Sequence, residues 1–485
     1  MRTFTSKNYD WRKLPVILKR FSLQHKLAWC SHFAAVSCGD WRYDAGKLKG
    51  VPHPLPWELN TIAMLSLCGQ EYDCQDLDQH KFYRIVNAVR TATPFKKGDD
   101  FDSVMNHFVV RAQFFYQTDV RVFLSRYRFI FAHSAVRLEE VVEERLGVPY
   151  RNILGMAVCA WAMGINGESF VDVLNGLSRN RNVDIELLNR SIGPLCMDHE
   201  DFAQAQSRKI ELSPRGYILA DNLLEQYPYV RVQEGIVLPL PYLLKNAVTV
   251  GVLHRITSGE NVGLRAEIGK KVLEDYVVQL MRHADFYDEV FSERMYQRNG
   301  KNSPDVIAYR GDKCVLMEVK FKEPTLRLRS LDPEDERDLD DACANAVVQV
   351  YTGIKDRAQY LKERIFSAEN VFGLVVLFEE PNLSRGRVFE RLKILHPELS
   401  VDELAYIRRH IRIISLYDVE VMSARHHGMF DVLDIYLHGD ESRLYDRSFS
   451  LLDEDAESLD VYGFDDLMEY AEQGIKGLFQ ERKSA

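Results

Sequence analysis

A run of eight apolar residues at 371–378 constrains the fold of this chain more than any other segment. The run is rich in valine and is bounded by polar residues on both sides. This pattern is typical of a strand that is buried on both faces of a sheet. The sequence therefore predicts a central strand in a sheet that is covered by other elements.

Helical and strand patterns alternate on either side of that run. Apolar residues spaced three and four apart predict helices over 265–281, 341–364 and 401–409. Short β-rich segments predict strands over 286–296, 304–309, 313–321 and 412–416. The acid-rich stretch 332–341 is interpreted as an exposed loop that leads into the acidic start of the next helix. The resulting order predicts a mixed α/β sheet flanked by helices.

The first 210 residues follow a different, mostly helical pattern. Helices are predicted over 14–36, 57–67, 104–116, 121–146 and 170–177. Two short β-rich runs around Gly235 then indicate a hairpin. We therefore expect a helical domain (1–210), a connector with a hairpin (211–260), a mixed α/β domain (261–428) and an acidic extension (429–485).

Three charged residues in the predicted hairpin point to a chemistry. Asp305 opens the first strand, and Glu318 and Lys320 lie two apart in the second, so they project from one face. A turn across Gly311 would bring Asp305 beside them. Two carboxylates and an ammonium suit metal-assisted phosphodiester hydrolysis, because carboxylates hold Mg²⁺ while a lysine orients water or offsets developing charge. The alternative is a turn-forming Asp305 with an exposed ion pair, but an unpaired carboxylate in so apolar a strand would be costly.

These residues carry a resemblance to a known family. The run GKKVLEDY (269–276), followed by Ser303-Pro304-Asp305 and Glu318-Val319-Lys320, resembles the PD-(D/E)xK nuclease superfamily, which includes restriction endonucleases and phage-defence nucleases. The resemblance covers residues 265–425 and implies a restriction-endonuclease-like αβββαβ core, a divalent metal (Mg²⁺, with Mn²⁺ as a substitute) and phosphodiester cleavage. By position it implies that Asp305, Glu318 and Glu274 are metal ligands and that Lys320 is the catalytic lysine.

Two further residues are weaker site candidates. Glu267 lies seven residues before Glu274 and so falls on nearly the same helical face. An acid in the first turn complements the helix dipole without any site role, so we expect Glu274 to be the site carboxylate. Gln349 lies on the helix after the motif strands, where some family members place a polar site residue. The spacing from Gln349 to Tyr351 departs from the family's Gln–Tyr element.

The charge distribution limits the partners of the chain. The formal net charge is -10, which argues against a uniformly basic coat but permits a local basic groove. Residues 451–475 contain nine acids and neither lysine nor arginine, interspersed with apolar residues. This segment is interpreted either as docking on a basic surface that includes the DNA groove or as a C-terminal helix packed on the core.

Several motifs are absent from the sequence. The eight cysteines form no CxxC, the N-terminal residues contain no apolar signal region, and the longest apolar stretch, 155–165, is too short to cross a bilayer. We therefore expect a cytoplasmic protein with no membrane partner. There is also no GxxxxGK[ST], HExxH or GxSxG. The adjacent residues His426 and His427 have no evident carboxylate partner, so no metal site is expected there.

Together these features predict a metal-dependent DNA endonuclease with a restriction or phage-defence role. Cleavage of both strands would favour a homodimer, and the N-terminal helical domain would select the substrate or a partner protein. Two alternatives stay open. The same fold could be a non-catalytic module that binds nucleic acid or protein, or the substrate could be RNA, since the metal chemistry is the same.

Overall fold

The computed structural model describes most of the chain in segments. These are residues 11–39, 53–69, 75–91, 119–165, 183–213, 216–218, 220–233, 235–261, 263–293, 302–322, 333–361, 364–379, 383–426, 428–438 and 459–479. The helices predicted at 104–116 and 170–177 lie outside these residues, as do His427 and residues 451–458 of the acidic segment. Where it is described, the chain is a mixed α+β protein, mostly helical, with one three-stranded and one five-stranded sheet.

The chain forms two compact units that alternate along the sequence. The first unit consists of residues 1–119, 139–256 and 465–485, and the second of residues 120–138 and 257–464. The second unit thus takes one helix from the N-terminal half, and the last helix of the chain belongs to the first unit. The boundaries expected from sequence, in contrast, divide the chain into contiguous regions.

The first unit is built mainly from helices around an apolar core. Its described helices include Leu14–Leu18, Leu23–Gly39, Pro56–Cys68, Gln79–Thr91, Leu138–Leu146 (which begins at the boundary), Tyr150–Ile165, Ile185–Ile192, His199–Leu212, Leu244–Asn246, Val252–Ile256 and Phe464–Lys476. Its sheet contains β1 (Cys196–Asp198), β2 (Tyr229–Val232) and β3 (Gly235–Val237). The antiparallel pair β2–β3 is the predicted hairpin, and β1 pairs with β2 in parallel.

The C-terminal helix Phe464–Lys476 packs on the helix Tyr150–Ile165 in the first unit. A Cβ added at Gly155 would lie 2.8 Å from the Ala471 carbonyl oxygen, so the two backbones come into close contact there. The Asn152 amide donates to the Gly474 carbonyl at 3.2 Å. The acidic residues of this helix therefore belong to a helix packed on the core, which is the second of the two interpretations of the acidic segment.

The second unit is an α/β arrangement around the five-stranded sheet. Its strands are β4 (Glu289–Ser292), β5 (Val306–Arg310), β6 (Lys313–Lys320), β7 (Val371–Leu377) and β8 (Ile411–Ser415), which lie in that order. The pairs β4–β5 and β5–β6 are antiparallel, whereas the pairs β6–β7 and β7–β8 are parallel. Every residue of β7 is buried, which confirms the predicted central strand.

Helices surround this sheet. The described α-helices of the second unit are Val120–Ala132, Gly263–Ile268, Glu274–His283, Pro333–Tyr360, Arg385–Leu395, Val401–His410, Leu416–Ala424 and Met429–His438. The long helix Pro333–Tyr360 shares an apolar core with one face of the sheet, to which Leu316 and Val375 contribute. Among the helices that the structure describes, none is both long enough and apolar enough to span a membrane.

Three predicted helix boundaries are wrong. The segment 14–36 breaks after Leu18, where Phe21 forms a bridge with Gln75. The segment 121–146 breaks after Ala132, and Arg137 in the break has a left-handed φ of 51°, which a helix cannot accommodate. The long helix begins at Pro333 instead of residue 341, and proline is tolerated in the first turn of a helix.

Candidate active site

Strand register brings three carboxylates to one end of the five-stranded sheet. Val306 of β5 pairs with Met317 of β6, so the next step along the ladder sets Asp305 opposite Glu318. On the other side of β5, Val306 pairs with Ser292 of β4, and the next step sets Glu293 opposite Asp305. Residues opposite one another in a sheet share a face. One face of the sheet therefore carries three neighbouring acids at this end: Glu293, Asp305 and Glu318.

Hydrogen bonds hold the motif side chains in place. Asp305 is buried, and its Oδ2 accepts from the Val319 backbone N–H at 2.8 Å. Lys320 Nζ donates to Glu318 Oε2 at 2.8 Å. The side chain of Glu318 is 13% exposed and that of Lys320 is 31% exposed. The cluster thus has a buried carboxylate at its base and an ion pair that solvent reaches.

The preceding helix supplies a fourth acid, Glu274. A π-helical turn, Gly269–Leu273, comes directly before it, and such turns are frequent at functional sites. Glu274 is partly buried and interacts electrostatically with Glu318 and Lys320. Glu267 instead forms a 2.8 Å ion pair with Lys271 on an exposed face of the helix. The structure therefore brings Glu274, and not Glu267, to the cluster.

Burial and an excess of negative charge shift the pKa values of the cluster. Burial, followed by the Glu318 carboxylate, raises the pKa of Asp305 from 3.8 to about 8, even though the Val319 N–H acts to lower it. Burial and the Glu293 carboxylate raise the pKa of Glu274 from 4.5 to about 7. Burial acts to lower the pKa of Lys320, but its carboxylate neighbours outweigh this effect and the pKa is raised. Perturbed carboxyl groups of this kind are concentrated at functional sites.

This charge imbalance fits a divalent cation. When Asp305, Glu318 and Glu274 are ionised, their three negative charges face the single positive charge of Lys320 within the motif cluster, which leaves an excess of two. Carboxylate oxygens are the ligands preferred by Mg²⁺ and Mn²⁺. Within the described residues, the ligand atoms of these three carboxylates do not all lie within 4.8 Å of one another.

Two glycines allow close packing on both sides of the motif. A Cβ added at Gly353 of the long helix would lie 2.5 Å from Pro304 Cγ, directly before Asp305. A Cβ added at Gly269 would lie 3.2 Å from the Cβ of Phe321, directly after Lys320. Gly353 was not singled out by sequence, although a glycine inside a helical pattern often has a packing reason.

Gln349 is exposed on the long helix, one turn before Gly353. Within the described residues it forms no hydrogen bond with the motif carboxylates. Glu293, in contrast, lies near Glu274 but was not singled out by sequence. Its signal was an acid inside the predicted strand 286–296, and the register of β4 against β5 is needed to place that acid beside Asp305.

A buried ion pair supports the helix that carries Glu274. Arg126 donates to the two carboxylate oxygens of Glu420 at 2.8 and 2.6 Å, and to the Phe378 carbonyl at 3.1 Å. Tyr276 Oη, two residues after Glu274, donates to Glu420 Oε1 at 2.9 Å. This network joins the Glu274 helix to the residue that follows β7. Arg126 and Glu420 are 294 residues apart, and no local pattern links them.

Comparisons of the chain with protein-family models, with curated proteins and with solved structures found no match. Any function assigned to the chain therefore depends on the residues and geometry described above.

Proposed function

We propose that this protein is a divalent-metal-dependent nuclease of the PD-(D/E)xK type that cleaves DNA. The observation that supports this most is the meeting of Asp305, Glu318 and Lys320 at one end of the β5–β6 hairpin, with Glu274 in electrostatic contact. The order of helix, three antiparallel strands, helix and parallel strand agrees with the αβββαβ core that the resemblance implies.

Each residue of the cluster has a chemical task in this proposal. Asp305, Glu318 and Glu274 would hold Mg²⁺ or Mn²⁺. The bound cation would polarise a phosphate oxygen and lower the pKa of a water molecule. Lys320, oriented by its 2.8 Å bond to Glu318, would position the attacking water and offset negative charge on the phosphate. The Val319 N–H would keep Asp305 oriented toward the cluster.

The cluster favours catalysis over a purely binding role. Nucleic acid is a polyanion, so a module that only binds it gains from cations and loses from buried carboxylates. Here the carboxylates outnumber the lysine, and the arrangement becomes attractive for a phosphate only when a divalent cation is added. A metal-dependent reaction accounts for this excess of acids, whereas simple binding does not.

The decisive experiment is a cleavage assay on the full chain. Supercoiled plasmid, linear duplex, single-stranded DNA and RNA are each incubated with Mg²⁺, Mn²⁺ or EDTA. We expect metal-dependent cleavage of DNA that falls at least about 100-fold in Asp305→Asn, Glu318→Gln and Lys320→Met. Asp312→Asn is the matched control, because Asp312 lies in the turn of the same hairpin and bonds Asn370 at 2.7 Å.

The outcomes separate the alternatives. Cleavage of RNA alone would replace DNA as the substrate and leave the chemistry intact. Wild-type rates in all three cluster variants, or full activity in EDTA, would show that the cluster is not the catalytic site. Metal-dependent DNA binding with no cleavage of any substrate would favour the non-catalytic module.

A second comparison tests the helix-borne acid. Glu274→Gln and Glu267→Gln change the same residue type one heptad apart on one helical segment. We expect Glu274→Gln to raise the Mg²⁺ concentration needed for half-maximal activity, whereas Glu267→Gln leaves it unchanged. A larger defect in Glu267→Gln would reverse the assignment.

A further inference from the structure

A second group of potential metal ligands lies in the same unit. His283, His426 and Asp460 each offer one ligand atom, and these atoms all lie within 4.8 Å of one another. His283 ends the helix that begins at Glu274, so about 13 Å of helix separates this group from the carboxylate cluster. His426 and Asp460 come from two further segments of the chain. The sequence did not reveal this carboxylate partner of His426, because 34 residues separate the two.

The contacts of His426 direct its Nε2 toward Asp460. Its Nδ1 lies 3.3 Å from the Ala284 carbonyl oxygen, and its Nε2 lies 3.0 Å from Asp460 Oδ2. In the tautomer whose Nδ1–H donates to that carbonyl, the neutral ring presents a lone pair at Nε2, on the side where Asp460 offers a carboxylate oxygen.

The remaining contacts hold the three side chains close to one another. His283 Nε2 lies 2.9 Å from the Asp460 carbonyl oxygen and 3.7 Å from Asp460 Oδ2, so a metal ion at Nε2 would replace the contact with the carbonyl. The Asp460 N–H donates to the Ala424 carbonyl at 2.9 Å. The Tyr462 ring lies 5.4 Å from the His283 ring, centroid to centroid. Both His426 and Asp460 are exposed, so an ion can enter from solvent.

The backbone of His426 ends the helix Leu416–Ala424. Its φ is 51°, in the left-handed region that commonly follows the C-cap of a helix, which here is Arg425. The end of this helix therefore fixes the position of His426 beside Asp460.

We propose that His283, His426 and Asp460 bind one Zn²⁺ ion. Imidazole nitrogens and a carboxylate oxygen are ordinary zinc ligands, and water would occupy the fourth position of a tetrahedral site. The bond from His426 Nδ1 to a backbone carbonyl is the outer contact that zinc-binding histidines usually make. The ion would cross-link residues 459–463 to the C-terminal end of the helix that begins at Glu274. This proposal is independent of the nuclease proposal, because Mg²⁺ prefers oxygen ligands.

Metal binding to the full chain tests the site directly. The chelator-treated protein carries Asp305→Asn, so that the carboxylate cluster is weakened, and is titrated with Zn²⁺ against a chromogenic chelator. We expect one Zn²⁺ per chain. We also expect the affinity to fall at least about tenfold when a ligand is removed by His283→Ala, His426→Ala or Asp460→Asn.

A control and a spectrum complete the test. His396→Ala removes a histidine that contacts Glu398 at 3.2 Å without a second histidine, and it should leave the Zn²⁺ affinity unchanged. Co²⁺ bound to the site should show the intense visible absorption of four- or five-coordinate cobalt. Unchanged Zn²⁺ affinity in all three ligand variants would overturn the proposal, as would a folded protein that binds no Zn²⁺ at micromolar concentration. If a ligand variant fails to fold, the Co²⁺ spectrum of the protein with all three ligands decides, and a weak octahedral band overturns the proposal.

Discussion

Replacing Asp305 by asparagine should stabilise the metal-free protein while it abolishes cleavage. Burial and the nearby Glu318 carboxylate raise the pKa of Asp305 from 3.8 to about 8, so the ionised form is unfavourable in the folded state. Asparagine is neutral, and its amide oxygen can still accept the 2.8 Å bond from the Val319 N–H. The substitution therefore removes the electrostatic cost and retains the hydrogen bond.

The size of the effect depends on pH. Below about pH 4 the carboxyl group is protonated in both the folded and the unfolded chain, so aspartate and asparagine should be equivalent. Between about pH 4 and pH 8 the unfolded chain releases the proton and the folded chain retains it, so the stability of the wild type falls as pH rises. A rise of the pKa from 3.8 to about 8 corresponds to roughly 6 kcal/mol.

Solvent that reaches the partly exposed side chain of Lys320 screens part of this cost. We therefore expect Asp305→Asn to gain about 2 kcal/mol at pH 8. For a unit of this size that gain corresponds to a rise of about 4 to 8 °C in Tm. Mg²⁺ should stabilise the wild type more than the variant, because the cation neutralises a charge that the variant lacks.

Thermal unfolding followed by circular dichroism measures these effects. Wild type, Asp305→Asn and the turn control Asp312→Asn are unfolded at pH 4 and pH 8 in EDTA, and again at pH 8 with Mg²⁺. We expect a higher Tm for Asp305→Asn only at pH 8, and no gain for Asp312→Asn. A variant less stable than wild type at pH 8, or a difference in Tm that is the same at both pH values, would refute the electrostatic account.

Three further substitutions test how the site is supported. Arg126→Met leaves Glu420 buried without its arginine partner and should lower the free energy of unfolding, measured by chemical denaturation, by about 3 to 5 kcal/mol. The double variant Arg126→Met with Glu420→Gln should recover much of that loss. Gly353→Ala places a methyl group against Pro304, so it should lower the free energy of unfolding by about 1 to 3 kcal/mol and slow cleavage. An unchanged cleavage rate and Tm would contradict this packing. Glu293→Gln should lower the pKa of the helix-borne site glutamate below about 7 in a metal-free NMR titration, and an unchanged pKa would remove Glu293 from the cluster.

Local patterns in the sequence were enough to predict the elements that carry the site. The apolar run at 371–378 predicted β7, whose residues are all buried. The spacing of Asp305, Glu318 and Lys320 predicted that a hairpin would bring them together, and β5 and β6 do pair in this way. These predictions succeed because strand alternation and a tight turn depend on residues close together in the chain.

The tertiary structure alone decided the rest. Periodicity set Glu267 and Glu274 on nearly the same face of a helix, and only the packing of that helix brings Glu274 to the cluster. Arg126 meets Glu420 across 294 residues. His426, which belongs to the proposed zinc site, meets Asp460 across 34 residues, with no pattern between them. Contacts of this kind depend on which surfaces pack together, and the local period of a sequence does not specify that.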